Sequence, residues 1–189
     1  MNTPNSTDNL KHHFLLAMPQ LNDPWFGAGL VYICEHNAQG AMGIVINKPH
    51  NMLLAEVFNE LNISAAYRKQ LPVYNGGPVS QEQGFILYRA DSPAPGSSLP
   101  IAEHIYLSTS REILEELARG TGPVDVMVCL GYAGWEPGQL ENEIAANSWL
   151  TVPADGDIMF NLPPAEKLQA AARLLGVDLA MLSSEAGHG

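Results

Sequence analysis

The sequence has few cysteines and no long apolar run. Its two cysteines, Cys34 and Cys129, each lie inside a short apolar segment, which excludes a disulfide framework and favours a reducing compartment. No segment approaches the ~20 apolar residues of a membrane-spanning helix. The first residues, MNTPNSTDNLKHH, lack the basic and then apolar order of a secretory signal. We therefore expect a cytoplasmic protein that does not associate with membranes.

Basic residues are also scarce. The 189 residues include nine Lys and Arg against 20 Asp and Glu, for a net charge of −11. Residues 1–100 hold seven acids and five bases, whereas residues 101–189 hold thirteen acids and four bases. A protein that binds nucleic acid directly neutralises phosphates with clustered Lys and Arg. We expect an acidic protein that makes no direct contact with nucleic acid.

Common catalytic and cofactor motifs are missing. Neither a phosphate-binding G-x-x-x-x-G-K-[ST] loop nor a G-x-S-x-G nucleophile turn occurs. Two glycine-rich segments have Tyr32 and Asp125 where a dinucleotide loop needs its third glycine. The six histidines form no H-E-x-x-H motif, and C-x-x-C is absent. The sequence predicts no cofactor and no metal, and it favours a protein that is not an enzyme.

The hydrophobic pattern alternates between short strands and modest helices. Residues 28–36 and 41–49 are β-rich runs joined by Asn-Ala-Gln-Gly, which predicts a hairpin. Residues 53–61 have helical spacing, and Pro164 opens another helix. Without a regular β-α-β rhythm, the pattern predicts an α+β fold with a mixed, largely antiparallel sheet. We expect a mobile lead over residues 1–12 and a single domain over residues 13–189.

Two local features give sharper expectations. Thr109 and Glu112 have the spacing of a capping box, which predicts a helix start at Thr109 and an end at Gly120. After a turn at Asp155 and Gly156, the segment DIMFNLP over residues 157–163 reads as an extended run.

The best catalytic lead is the segment YICEHN. On a strand, Cys34 and His36 point to one face and Glu35 to the other. A histidine beside a cysteine can lower the pKa of the thiol and create a nucleophile. The alternative is that Cys34 packs as a small apolar residue and His36 bonds the backbone, and this interpretation is favoured. A Cys34 and His36 site, with Cys129 as a substitute nucleophile, defines the enzymatic alternative of a small hydrolase or transferase.

Glycine-rich turns supply the candidate binding residues. The segment YNGGPVSQ favours a tight turn, with an anion-binding nest as the alternative. In GYAGWEPGQLENEIAANSWL, two tryptophans serve a core or a docking surface. The acids Glu136, Glu141 and Glu143 would repel an anion there, and they complement the macrodipole of a helix start. The candidate binding residues, which we expect to meet at one cleft, are Asn75, Gly76, Gly77, Pro78, Tyr132, Gly134, Trp135, Gln139 and Trp149.

Several of these segments together resemble the bacterial YqgE/AlgH family. The resemblance rests on HFLLAMPQLNDPWF, VYICEHNAQGAMGIVINKP, TSREIL and LGYAGWEPGQLENEIAANSWL, and it extends over residues 13–188. It implies an α+β sheet curled into a pseudo-barrel, with helices outside, in a cytosolic protein. One branch of the family is labelled a regulator of alginate synthesis and hence a transcriptional regulator. The resemblance carries over no catalytic residue.

Two functions therefore remain open. The first is a non-enzymatic binding or regulatory module that acts through a protein or small-molecule partner, without touching DNA. The second is the Cys34 and His36 enzyme. A third interpretation is that glycines such as Gly131 and Gly134 serve only the bends of the sheet.

Overall fold

The computed structural model describes residues 9–66 and 71–186. Strands and helices alternate in the predicted manner along this part of the chain. In chain order, the elements are β1 (His13–Ala17), β2 (Leu30–Asn37), β3 (Gly40–Val45), β4 (Pro49–Leu53), α1 (Leu54–Glu60), β5 (Pro72–Asn75), β6 (Val79–Arg89), β7 (Ser98–Ala102), β8 (Ile105–Ser108), α2 (Arg111–Arg119), β9 (Asp125–Trp135), α3 (Gln139–Ala145), β10 (Trp149–Pro153), α4 (Gly156–Asn161), α5 (Pro164–Leu174) and α6 (Leu179–Ala186).

The predicted α+β class is confirmed. Among the described residues, every strand pairing is antiparallel except that of β5 with β9, which is parallel. The chain groups into two compact units, the first within residues 1–47 and 133–189 and the second within residues 48–132. The single domain over residues 13–189 remains a prediction.

The first unit has the strand order β10, β1, β2, β3 and the end of β9. The predicted hairpin is present, because Asn37 pairs with Gly40 and leaves a two-residue turn between β2 and β3. The strands bury an apolar cluster that includes Leu15, Ile33 and Val45. Burial of these side chains stabilises the unit, at ~1.5–3 kcal/mol for each fully buried large residue.

The second unit is built on the first eight residues of β9. This part of β9 pairs with β5 on one side and β6 on the other, β8 pairs with β6, and β4 and β7 lie at the two edges. Helices α1 and α2 cover the sheet through Phe58, Ile113 and Leu117, which pack in one cluster with Ile86 and Val128. The strong amphipathic pattern of α2 explains this packing.

Two local predictions are wrong. Helix α2 begins after Ser110, whose hydroxyl accepts a hydrogen bond from the Glu112 amide at 3.1 Å, so Ser110 and not Thr109 is the cap. Residues 156–161 form α4 and not an extended run, because the Asp155 carboxylate accepts the amides of Asp157 and Ile158 at 2.8 and 3.2 Å. An aspartate in that position satisfies amides that a helix start otherwise leaves unbonded.

The predicted mobile lead lies mostly outside the described residues. Its described end is held in place: the Leu10 side chain is buried, and the His12 amide donates to the Ile33 carbonyl at 2.9 Å. Among the described residues, no helix combines the length and the apolar character needed to cross a membrane.

Candidate ligand cavity in the second unit

The predicted glycine turn of the segment YNGGPVSQ lies in the second unit and is held by backbone hydrogen bonds. The Gly76 amide donates to the Leu130 carbonyl at 2.8 Å, and the Asn75 amide donates to the Lys48 carbonyl at 2.7 Å. Both glycines of the turn are buried, and Pro78 is half-buried. Because these amides bond to the backbone, the arrangement favours the turn interpretation over an anion-binding nest.

Next to this turn, β6 leaves its partner strand for a short stretch. Val79 pairs with Tyr132 and Gly84 pairs with Leu130, so four residues of β6 stand opposite a single residue of β9. We call residues 80–83 the strap; all four are exposed. Bulges of this kind re-aim side chains near functional sites.

Gly131 is the residue of β9 opposite the strap. Its φ is +78°, and a β-carbon there would lie less than 3.0 Å from the Gly77 carbonyl oxygen and 3.1 Å from that of Val79. Only glycine combines the left-handed backbone with this close approach. Gly131 is therefore needed to form the bulge. This supports, for Gly131, the interpretation that such glycines serve the bends of the sheet.

Beside the strap is a cavity of about 270 Å³. Its apolar wall comes from β4, α1 and the residue that follows α1, α2 and β9. The wall consists of Met52, Val57, Leu61, Leu114, Val128 and Leu130. Such a mainly apolar cavity with a few polar groups is typical of sites that hold small molecules.

Gly84 borders this cavity for a reason that differs from that of Gly131. Its backbone lies outside the left-handed region, and a β-carbon there would meet no atom within 4 Å. Glycine within a strand costs ~0.5–1 kcal/mol relative to alanine, and neither φ nor crowding requires glycine here. A strand glycine often marks a bulge or a place where a ligand approaches the backbone, and Gly84 is also the residue at which pairing with β9 resumes after the strap.

The polar lining comprises His50, Glu60, Gln81 and Glu82. The Met52 amide donates to His50 Nδ1 at 2.9 Å, so neutral His50 carries its proton on Nε2. Gln81 Nε2 donates to the Pro78 carbonyl at 3.1 Å, which orients its amide from the strap. Both carboxylates are on exposed residues, so the cavity joins an apolar interior to an acidic rim.

The other predicted binding residues of this unit contribute little to the cavity. Tyr132 is half-buried and packs edge-on against Phe85, with ring centroids 5.3 Å apart.

The buried Tyr74 phenol lies near Cys129, and burial raises the pKa of Tyr74 to about 12. It therefore stays protonated at neutral pH.

In the first unit, the predicted tryptophans converge on one carboxylate. The indole nitrogens of Trp135 and Trp149 each donate to Glu143 Oε1 at 3.1 Å, and Gln139 Nε2 donates to Oε2 at 2.9 Å. Phe26 stacks on Trp135 with centroids 6.1 Å apart. Both tryptophans are buried, at 6% and 2% exposure, so this cluster packs the core of its unit. Gly134 and Gln139 are exposed.

The nine candidate binding residues thus divide between the two units. Asn75 to Pro78 and Tyr132 belong to the second unit, and Gly134, Trp135, Gln139 and Trp149 belong to the first. Their predicted meeting at one cleft remains a prediction.

His36 has both ring nitrogens occupied. Nδ1 accepts the Leu10 amide at 3.0 Å, and Nε2 lies 2.5 Å from Glu141 Oε1. The bond from the Leu10 amide requires an unprotonated Nδ1. Nε2 therefore carries the ring proton and donates a hydrogen bond to Glu141. This hydrogen bond from His36 lowers the pKa of Glu141. In this arrangement His36 has no nitrogen left to take a proton from the Cys34 thiol, so the geometry favours the structural interpretation of both residues.

Both cysteines should react slowly. Cys34 and Cys129 are fully buried, and thiolate reactivity requires access as well as a low pKa. We expect iodoacetamide at neutral pH to label the folded protein far more slowly than free cysteine, and to label it readily in denaturant. Mass spectrometry of timed samples measures both rates. Fast labelling of Cys34 in the folded protein would restore the enzymatic alternative.

Two further side chains show the effect of burial. Burial raises the pKa of the Tyr32 phenol, whose oxygen lies 2.9 Å from His12 Nδ1, and burial lowers the pKa of His12. Each stays neutral over a wider pH range.

Within residues 9–66 and 71–186, no group of three or more His, Cys, Asp or Glu could hold a metal ion.

Comparison with known proteins gives the family. A sequence profile described as AlgH-like matches residues 14–180. A UPF0301 protein of Thioalkalivibrio sulfidiphilus is 53% identical over 184 residues, which cover 97% of this chain and 98% of the relative. The UPF0301 protein AlgH of Pseudomonas aeruginosa is 50% identical over 182 residues, 95% of each chain. The chain belongs to the AlgH-like family.

Solved structures agree with this AlgH-like assignment. The solution structure of AlgH from Pseudomonas aeruginosa matches with a TM-score of 0.79 at 46% identity, over 100% of this chain and 99% of AlgH. A crystal structure from Corynebacterium diphtheriae matches with a TM-score of 0.72 over 91% of this chain. At 21% identity, that second likeness shows the fold alone.

Sequence reasoning about this AlgH-like chain missed the cavity residues. The patterns around His50, Gln81 and Glu82 carry no recognised motif, and their common location depends on the pairing of β4, β5, β9 and β6. One signal was present: Gly84 opens the apolar run GFILYR, where a larger side chain would be expected.

Proposed function

We propose that the chain is a non-enzymatic binding module whose second unit holds a small molecule in the cavity beside Gly84. The observation that carries the proposal is the open space at that strand glycine. A side chain would fill part of the cavity and would stabilise the strand. Glycine also suits the end of the bulge, and under the proposal it leaves room for a ligand as well.

The composition of the cavity fits a binding site. Its described lining is mainly apolar and contains no serine, threonine, cysteine or lysine. Its titratable side chains are His50, Glu60 and Glu82, and His50 Nδ1 already accepts the Met52 amide. Its size also fits: it exceeds the ~150 Å³ that holds a benzene molecule and falls just short of the ~300–1,000 Å³ of drug-sized sites. The natural ligand would be a small molecule or a fragment-like group.

A regulatory role would then operate through the bound molecule or a protein partner. The net charge of −11 opposes direct contact with DNA. The regulatory part of the proposal comes from the family resemblance, in which one branch is labelled a regulator of alginate synthesis.

The test is a binding panel of indole, octan-1-ol, octylamine and octanoate, measured by calorimetry and ligand-observed NMR. We expect at least one compound to bind wild-type protein with 1:1 stoichiometry. Gly84→Leu should fill the cavity and weaken that binding at least ~10-fold, a change of 1.4 kcal/mol or more. The thermal midpoint should stay equal or rise, because a β-carbon at this position meets no atom within 4 Å and the remaining side-chain atoms would enter the cavity.

Gly84→Ala is the matched control. It makes the same change at the backbone but adds only one methyl group, so binding should stay within a few-fold of wild type. Absence of binding by all four compounds at millimolar concentration would overturn the proposal, as would equal binding to Gly84→Leu.

A further inference from the structure

We infer that the ligand of this cavity is a small apolar molecule that carries a protonated amine. The inference rests on the proposed function, because it names the chemistry of the molecule that the same site would hold. Three observations carry it: the size of the cavity, the apolar wall, and the sign of the charge at the rim.

The size and wall set the apolar part of the ligand. If a cavity of ~150 Å³ holds the six carbons of benzene, then 270 Å³ admits about ten non-hydrogen atoms. Val57, Leu114 and Val128 are buried side chains that form part of the wall. An alkyl chain or a single ring would bury its surface against them, with a gain of ~0.8 kcal/mol for each methylene.

The charge at the rim determines the polar group of the ligand. Glu60 follows the last buried turn of α1, and Glu82 is on the strap, so the two carboxylates come from separate elements that border one opening. Among the described lining residues there is no Lys or Arg to neutralise them. A carboxylate on the ligand would be repelled, whereas an ammonium group would be attracted.

Hydrogen bonding favours the same group. Gln81 uses one N–H of its amide on the Pro78 carbonyl, which leaves the acceptor Oε1, able to bind a donor on the ligand, and a second N–H. An ammonium has three N–H donors and no acceptor. It would match two carboxylates and one amide oxygen, whereas a hydroxyl would bring one donor and no charge.

A metal ion fits this rim less well than an amine does. The described residues contain no group of three or more metal-ligating side chains, and hard cations such as Ca²⁺ require 6–8 oxygen ligands in typical sites. The apolar wall would also be left without a function. The net charge of −11 raises the local concentration of any cation, organic cations included.

The experiment compares three molecules with the same eight-carbon chain. At pH 7, octylamine is a cation, octan-1-ol is neutral and octanoate is an anion. We expect octylamine to bind about tenfold tighter than octan-1-ol, and octanoate to bind most weakly. An exposed ion pair is worth up to ~1 kcal/mol, or about fivefold, and two carboxylates are available.

Charge variants distinguish the effect of the rim carboxylates on binding from the effect of the net charge of the protein. Glu60→Gln and Glu82→Gln should each weaken the binding of octylamine about threefold and leave that of octan-1-ol unchanged. Glu35→Gln removes one charge from an exposed residue of the other unit, so it should leave the affinity for octylamine unchanged. Gly84→Leu should weaken the binding of all three compounds at least ~10-fold, which distinguishes binding in the cavity from nonspecific attraction.

The outcomes separate the two claims. If octan-1-ol or octanoate binds as tightly as octylamine and Gly84→Leu abolishes that binding, the ligand class is wrong and the binding site stands. If Glu35→Gln weakens octylamine as much as Glu82→Gln does, the attraction comes from the overall charge and the inference is overturned. If none of the three compounds binds, the inference is overturned, and the proposed function fails as well if indole also does not bind.

Discussion

Replacing Gly131 by alanine is expected to destabilise the protein by about 3 kcal/mol or more. Left-handed backbone costs an alanine ~1–2 kcal/mol, and forcing an atom into a packed site costs a further ~1–3 kcal/mol. Both costs apply, because φ is +78° and the new β-carbon would meet the carbonyl oxygens of Gly77 and Val79. Urea unfolding monitored by circular dichroism gives the change in free energy of unfolding.

Gly138 supplies the matched control. It has the same φ of +78°, but a β-carbon there would meet nothing within 4 Å. Gly138→Ala should therefore lose only the ~1–2 kcal/mol of the backbone term. Equal losses at both positions would mean that the backbone at Gly77 and Val79 moves away from the new atom, and that Gly131 is not needed to hold the bulge.

Removing the Glu143 carboxylate is the second change with a large expected effect. Glu143→Ala should cost about 2–4 kcal/mol, since leaving a buried donor unsatisfied costs ~1–3 kcal/mol and two indole N–H groups share this acceptor. For a chain of this length the thermal midpoint should fall by roughly 5–15 °C. Circular dichroism melts measure the shift.

Two variants show whether the loss comes from the indoles. Glu143→Gln keeps one acceptor oxygen, so its loss should be clearly smaller than that of Glu143→Ala. Asn142→Ala changes an exposed neighbour on the same helix and should lower the midpoint little. A small effect of Glu143→Ala would contradict the interpretation of this carboxylate as the link between Trp135 and Trp149.

Much of the fold could be predicted from the sequence. The hairpin of β2 and β3, the helix α1, the start of α5 at Pro164 and the family resemblance all follow from local pattern, and the structure and comparisons confirm them. The errors at Thr109 and in residues 157–163 have one cause. Cap choice depends on which side-chain oxygen reaches the free amides, and spacing alone does not distinguish Thr109 from Ser110.

The candidate site could be predicted less well. Glycine and tryptophan density drew attention to residues 131–150, but Trp135 and Trp149 are buried against Glu143. The cavity residues were missed because glycine is ambiguous in a sequence. The sequence does not distinguish Gly131 from Gly84. In the structure, crowding requires glycine at position 131, whereas Gly84 borders empty space.

By itself, the sequence determined the family, through the segments that resemble it. It also determined the α+β class and the acidic character, because these depend on composition and on periodicity over a few residues. The tertiary structure alone decided which glycine opens a cavity, which carboxylates border it and which nitrogens of His36 are occupied. The physical reason is that strand pairing brings distant residues together. Pairing of β4, β5, β9 and β6 places His50, Gly84 and Leu130 around one space, and no local pattern of residues encodes that space.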